Sequence, residues 1–195
     1  MKMLHKVFAG VVLSSAMIFT SLSSLAAPTE TTGGGVTSVQ LAPSFLAALS
    51  SLSLTPAAIS PGRIFSRHNV TVAGFPITAG EVDLGTVKGE IDHAGGLSLT
   101  GGGKVVQLSA FIIDLTAATP VLTGLVTVNN SLVGRVPLFD LNLAQASVDA
   151  KNQQLKVKNV TVTLTDKAAA ALNGVFGVTA LAQGVPIGTA AIRAR

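Results

Sequence analysis

The chain has 195 residues, of which 13 are Lys or Arg and 9 are Asp or Glu, and it contains no cysteine, tryptophan or tyrosine. This length is enough for one domain with a core of its own and too short for two ordinary domains. The absence of cysteine excludes disulfide bonds, a thiol nucleophile and thiolate metal sites, so stability must come from packing alone.

The first 26 residues have the three parts of a cleavable bacterial export signal. Lys2 and Lys6 form a basic start, an apolar run follows over 7–20, and small residues reach Ala27. We predict a signal peptide over 1–26 and a secreted mature protein, located in the extracellular medium or the cell envelope. The alternative is an uncleaved membrane anchor. The apolar run is shorter than the roughly 20 residues that span a bilayer, so we expect no transmembrane anchor in the mature form.

The mature domain is expected to be close to electrically neutral. Removing Lys2 and Lys6 from the 13 basic residues leaves 11, against all 9 acidic residues. The remaining cations are scattered along the chain, so the electrostatic footprint of a nucleic-acid-binding protein is absent. We therefore expect no nucleic-acid partner.

A linker and a helix are predicted before the first strands. Residues 27–40 are rich in Thr and Gly, which is typical of a flexible linker. Pro43 then precedes apolar residues that include Phe45 and Leu49, and this spacing predicts a short amphipathic helix. The domain proper is predicted over 41–195.

From Val70 onward the hydrophobic period changes to two, which is typical of strands that alternate between core and solvent. Gly, Pro and Asn separate these segments at spacings expected of antiparallel hairpins. Asp166 at an N-cap position and Asn-Gly at the end predict a second short helix over 166–174, and a last strand is expected over 185–192. The sequence thus predicts a mainly β fold, an antiparallel sandwich or barrel-like domain with two short helices, preceded by a signal peptide.

The densest polar cluster consists of Glu81, Asp83, Glu90, Asp92 and His93. Paired carboxylates can bind Ca²⁺ or relay a proton, whereas a solvated strand face gives them no chemical role. We favour the solvated face, because no third carboxylate follows at a suitable spacing. Hydrolase motifs are also absent from the sequence. We therefore predict no catalytic residue, no metal site and no enzyme activity, with a hydrolase as a minor alternative.

Two basic segments have competing interpretations. The run from Gly101 to Lys104 is similar to a phosphate-binding loop, but strand patterns flank it on both sides, so we predict a hairpin turn. Arg63 and Arg67 flank Phe65 and form either an anion-binding patch or the exposed entrance of a strand. The exposed strand is the favoured interpretation.

A longer pattern of glycines, one histidine and alternating apolar residues covers most of the mature chain. Its segments are 80–83, 89–99 with the stretch His93-x-Gly95-Gly96-Leu97, 106–108, 111–114, 122–124, 164–173 and 184–190. This pattern resembles the HtaA domain, a family of secreted or surface haem-binding β domains of Gram-positive bacteria.

The resemblance also implies a ligand site. In that family a helix tyrosine binds the haem iron, a serine four residues before it lies near the haem, and the histidine of the His-x-Gly stretch supports the tyrosine. Ser44 and His93 match, whereas the tyrosine position falls on Ala48, which has no iron-binding atom. The implied pocket consists of Ser44, Phe45, Ala48 and His93, with haem as a possible cofactor. Without the tyrosine, the side chains of the usual iron-binding types that remain in the mature chain are His68 and His93.

Two functions follow as hypotheses. The first is a secreted, non-enzymatic HtaA-like binding domain for haem or another apolar small ligand. The alternative is an extracellular structural or adhesive β domain without a small-molecule site, whose partner is an extracellular protein. Only 11% of the residues are charged, and the long apolar surfaces that this leaves suit protein contacts.

Overall fold

The computed structural model describes residues 29–31, 33–83, 85–151 and 154–195, and the signal peptide predicted over 1–26 lies outside them. Strands dominate the described chain. Their bounds are β1 (Thr29–Thr31), β2 (Gly35–Leu41), β3 (Thr55–Ile59), β4 (Arg63–Arg67), β5 (Val70–Asp83), β6 (Lys88–His93), β7 (Gly96–Gly101), β8 (Lys104–Asp114), β9 (Val121–Val128), β10 (Ser131–Asn142), β11 (Ser147–Lys151), β12 (Gln154–Leu164) and β13 (Pro186–Ala194). The helices are α1 (Pro43–Ser51) and α2 (Asp166–Phe176).

Eight of these strands close on themselves into an antiparallel barrel. The order around the ring is β5, β2, β13, β12, β10, β9, β8 and β6, and β6 pairs with β5 to complete it. The other strands extend this wall: β1 and β4 pair with β5, β7 pairs with β8, β3 pairs with β7, and β11 pairs with β12. The predicted antiparallel, barrel-like β domain with two short helices is confirmed.

The linker predicted over 27–40 is wrong where β2 begins, because Gly35–Leu41 is a full member of the barrel wall. This strand lies between β5 and β13, so its backbone groups have ladder partners on both sides. Thr37, Val39 and Leu41 alternate toward the interior and are buried. The run of glycines hid this period of two. β1 also falls inside the predicted linker and pairs with the end of β5.

The two predicted helices are confirmed, with corrected ends for the second. The N-cap of α2 is Thr165 rather than Asp166, since the Thr165 hydroxyl accepts a hydrogen bond from the Ala168 amide at 3.1 Å. That hydroxyl also donates to the Pro137 carbonyl at 2.7 Å, which ties the helix start to β10. The helix continues past the predicted Asn-Gly and ends at Phe176, before Gly177 in the left-handed conformation.

Both helices pack at the same end of the barrel. Leu49, Leu54 and Leu99 form a small buried cluster there, and side chains of both helices pack against it, namely Phe45, Leu172 and Phe176. Neither helix in the described part of the chain combines the length and the hydropathy that a membrane span requires.

Candidate functional site

The inside of the barrel holds a cavity of about 500 Å³ that reaches the surface beside α2. Strand residues pointing inward form most of its wall, and Phe45 and Leu49 of α1 form part of it at the helix-covered end. The opening is marked by lining residues that are also exposed, namely Lys104, Asn129, Val133, Ala170, Ala171 and Gly174. The cavity is therefore an interior space with access from solvent.

The lining of this cavity is almost entirely apolar. Among the described residues that form it, only Thr37, Lys104 and Asn129 have polar side chains. Lys104 and Asn129 lie at the opening, whereas Thr37 lies on β2 and is only 2% exposed. The interior of the cavity therefore favours an apolar ligand, and the polar groups of the lining are confined to the opening and to Thr37.

The β8 strand bends at a bulge that turns Phe111 toward the cavity. Ala110 has a φ of 47° there, and the register between β8 and β9 shifts at this point. The Arg135 guanidinium donates to the Ala110 carbonyl at 2.9 Å and supports the bulge from outside. Inside the barrel, the Phe111 ring meets the Phe75 ring edge-on at 5.1 Å between centroids. Gly124 leaves the space that the Phe111 ring occupies, because a Cβ there would lie 2.9 Å from its Cδ1.

His93 lies at the end of β6, facing this bulge, and is only 5% exposed. Its Nδ1 lies 3.4 Å from the Phe111 carbonyl oxygen and its Nε2 lies 2.7 Å from the Thr37 hydroxyl. A carbonyl oxygen can only accept, so Nδ1 carries the proton and Nε2 accepts from the Thr37 hydroxyl. His93 therefore connects β6 to both β2 and β8, and its free lone pair is already used.

Burial lowers the pKa of His93 below its ordinary value of 6.5. The contacts with the backbone of Phe111 and Ile91 and the negative charge of Asp92 oppose this shift but are smaller. The ring is therefore neutral at pH 7, which agrees with one donating and one accepting nitrogen.

The two glycines after His93 have a packing role. Gly95 has a φ of 82°, and a Cβ on it would lie 2.3 Å from the Gly62 nitrogen. A Cβ on Gly96 would lie 2.1 Å from the Leu108 carbonyl oxygen. The turn after β3 thus approaches Gly95, and β8 approaches Gly96, too closely for either position to carry a side chain. The His-x-Gly-Gly stretch accordingly joins three segments of backbone beside the buried histidine.

The four residues of the predicted ligand pocket occupy different environments. Phe45 is half-buried and lines the cavity, whereas Ser44 is exposed on the first turn of α1. Ala48 is half-buried on the same helix. His93 does not itself line the cavity, whereas its hydrogen-bond partners Thr37 and Phe111 do. The use of these four residues as one haem pocket stays a prediction.

The acidic cluster lies on the paired strands β5 and β6. Glu81 and Glu90 face each other across the pair and are exposed, and the Asp83 carboxylate accepts hydrogen bonds from the amides of Gly85 and Thr86 at 2.7 and 3.0 Å. The solvated-face interpretation fits the exposed Glu81 and Glu90, whereas His93 of the same cluster is buried. Within the described ranges, no group of three or more His, Cys, Asp or Glu side chains is arranged to hold a metal ion.

The two basic segments have the structures that the sequence favours. Gly101–Lys104 forms the hairpin between β7 and β8, with Gly102 and Gly103 at positive φ. Arg63–Arg67 is β4, which pairs only with β5 among the described strands and has exposed Arg63, Phe65 and Arg67 side chains.

Sequence reasoning missed three residues of the site. Thr37 was placed in the linker, although the alternation of Thr37, Val39 and Leu41 could have revealed a strand. Lys104 and Asn129 belong to separate hairpins, β7–β8 and β9–β10, and they meet only because β8 and β9 are paired. No local pattern in the sequence reports that meeting.

Comparisons with known proteins identify the fold. No protein-family model matches the chain, and no curated protein matches it. The C-terminal domain of HtaA from Corynebacterium glutamicum is similar in structure, with a TM-score of 0.64 and 16% identity over 85% of this chain and 98% of that one. The haem-binding protein HtaB of the same organism has a TM-score of 0.56 and 12% identity, over 86% of this chain and 95% of that chain.

A domain-swapped dimer of a histidine-to-alanine variant of the same HtaA domain is also similar, with a TM-score of 0.53 and 16% identity over 77% of this chain and 88% of that chain. At these identities the likeness shows the fold alone. The resemblance inferred from the sequence is thus confirmed for the fold: this chain has an HtaA-like fold.

Proposed function

We propose that this protein is a secreted, non-enzymatic binding domain that holds an apolar small molecule inside its barrel. The observation that carries the proposal is the cavity of about 500 Å³, whose lining is almost entirely apolar. Small-molecule sites typically have volumes of roughly 300–1,000 Å³ with a few placed polar groups. An apolar ligand gains about 25 cal/mol for each Å² of surface that it buries there.

Haem is one candidate ligand, because a structurally similar protein is the haem-binding protein HtaB. The described residues that line the cavity do not fit ligation of the haem iron. The described residues that line the cavity include no His, Tyr, Cys or Met, and the Nε2 lone pair of His93 already accepts from Thr37. A porphyrin would therefore be held through its apolar face, and its metal would add little to the affinity.

An adhesive or structural role is the second candidate, and two exposed side chains favour it. Leu132 is 68% exposed and Val133 is 62% exposed at the start of β10. Adjacent exposed apolar residues at a hairpin tip are suited to contact with another surface. This role predicts no binding of a small apolar ligand, so the same experiment separates the two functions.

A neutral apolar fluorophore tests the proposal. N-phenylnaphthylamine fluoresces strongly only outside water, so we expect saturable enhancement with the wild-type protein. Ala171→Phe places a large side chain at the exposed opening and should weaken this binding at least tenfold. Ala47→Phe is the matched control, because Ala47 is an exposed helix residue that does not line the cavity. Equal binding by the two variants, or no saturable binding by the wild type, would contradict the proposal.

Export is part of the same proposal and needs its own test. Expression of the full chain in a secreting bacterial host should yield a mature protein that begins near Ala27, in the medium or the cell envelope. N-terminal sequencing of the purified protein checks this. An intact Met1 on a cytosolic product would be the opposite result.

A further inference from the structure

Lys104 is the charged side chain at the cavity opening. It begins β8 directly after the turn at Gly102 and Gly103, and it is exposed. Among the described residues that line the cavity, no other is charged. Within the described chain, its ammonium also has no hydrogen-bond or ion-pair partner. One cation is therefore available to a ligand at the opening.

Asn129 adds a second donor beside Lys104. Its side-chain oxygen accepts a hydrogen bond from the backbone N–H of Val105 at 2.9 Å, and its backbone N–H donates to the Val105 carbonyl at 2.9 Å. The side-chain Nδ2 group has no partner among the described residues. Thr37, the other polar lining residue, donates to His93 and is occupied. The unused polar groups of the lining are thus donors only, which suits an anion.

The lining between the opening and the deep wall follows one strand. Lys104, Val106 and Leu108 alternate inward along β8, and the bulge at Ala110 keeps Phe111 on the same side. From Lys104 to Phe111 this path covers about 24 Å at roughly 3.4 Å per residue. A cation therefore lies at one end of a long apolar path.

We propose that the cavity binds a single-chain amphiphile, with its chain along β8 and one anionic head group, a carboxylate or a phosphate monoester, at Lys104 and Asn129. This inference rests on the proposed binding function and names its ligand class. A single head group matches the single cation of the lining, whereas haem has two carboxylates. The chain buries its methylenes against the apolar wall, and each one should improve affinity about fourfold until the cavity is filled.

Displacement of N-phenylnaphthylamine from the purified protein tests the ligand class. We compare dodecanoate, dodecyl phosphate and dodecanol, which share one chain and differ in the head group. The anionic amphiphiles should bind about three- to tenfold more tightly than dodecanol at low salt, and this difference should shrink as salt is added. Which of the two anions binds better distinguishes a free fatty acid from a phosphate-bearing lipid. Octanoate and decanoate should follow in order of chain length.

Lys104→Met should remove the preference for the anions without weakening dodecanol binding, and Lys104→Arg should retain the preference. Lys158→Met is the matched control, because Lys158 is exposed on β12 and does not line the cavity. Equal affinity of dodecanoate and dodecanol, or a preference that survives Lys104→Met, overturns the inference while probe binding still supports the cavity. No binding of the probe or of any amphiphile overturns both.

Discussion

The buried contact between Thr37 and His93 should be a measurable part of the stability of the barrel. Thr37→Val keeps the shape of the side chain and removes the hydroxyl that donates to Nε2 over 2.7 Å. The histidine is 5% exposed and the cavity wall around Thr37 is apolar, so a water molecule there would lack the further polar partners that it needs to replace the lost donor. Leaving a buried acceptor unpaired costs about 1–3 kcal/mol, and the added methyl group offsets part of this. We expect a net loss of about 1–2 kcal/mol.

A double-mutant cycle isolates the contact from other effects of the substitution. In a His93→Ala background the Thr37 hydroxyl has lost its partner, so Thr37→Val should be neutral or stabilising there. The coupling between the two positions should be about 1 kcal/mol or more. Urea unfolding at neutral pH measures each variant, with Thr161→Val on the exposed face of β12 as a control that stays within about 0.5 kcal/mol of wild type. An equal cost of Thr37→Val in both backgrounds would refute the reasoning.

Four further predictions address the same region and the helices. Because burial lowers the pKa of His93 in the folded protein, the unfolded chain binds a proton at this residue at a higher pH than the folded protein does. The contribution of His93 to the free energy of unfolding should therefore be complete above about pH 6.5 and fall below that pH, by at most about 1.4 kcal/mol per pH unit. His93→Ala should flatten this decline, as measured by urea titrations at several pH values. Gly95→Ala should cost at least about 2 kcal/mol by thermal unfolding because its Cβ meets backbone, whereas Gly102→Ala, also at positive φ but in open space, should cost about 1 kcal/mol. Thr165→Ala should cost about 0.5–2 kcal/mol by removing the cap of α2, measured by urea unfolding. Ferric haem should show no sharp Soret ligation band with wild type and should gain tyrosinate-type absorption with Ala48→Tyr; no gain would contradict the alignment of α1 with the helix of the HtaA family.

Local patterns predicted both helices and most strands from Val70 onward, but not β1, β2 or β3. The period of two from Val70 onward gave the strands, and the proline before α1 and the small-residue run of α2 gave the helices. The barrel closure was less accessible, because pairing of β6 with β8 and of β2 with β13 depends on residues far apart in sequence. The error at β2 has a physical origin: Gly33 to Gly35 dominate the composition of a segment whose next residues already alternate.

The sequence pointed to two residues near the candidate site, but not to the chemistry of the site. His93 and Phe45 were both singled out from the sequence. In the structure, His93 forms buried hydrogen bonds beside the cavity, and Phe45 forms part of the cavity wall. The partner of His93 could not be found from the sequence, because Thr37 is 56 positions away. The two polar side chains at the cavity opening, Lys104 and Asn129, likewise come from two hairpins that only the folded sheet brings together.

The place of β2 in the ring determines when the barrel can be completed. Gly35 pairs with Ala194 and Leu41 pairs with Gly188, so this seam joins segments from opposite ends of the described chain. Until β13 is present, β2 and β12 each expose an unpaired edge that can template pairing with another chain. Contacts this distant in sequence form slowly, because a long loop must close before they are made. Folding therefore depends on β13 to protect two edges at once, and a molecule in which β13 is not yet paired is the form most exposed to aggregation.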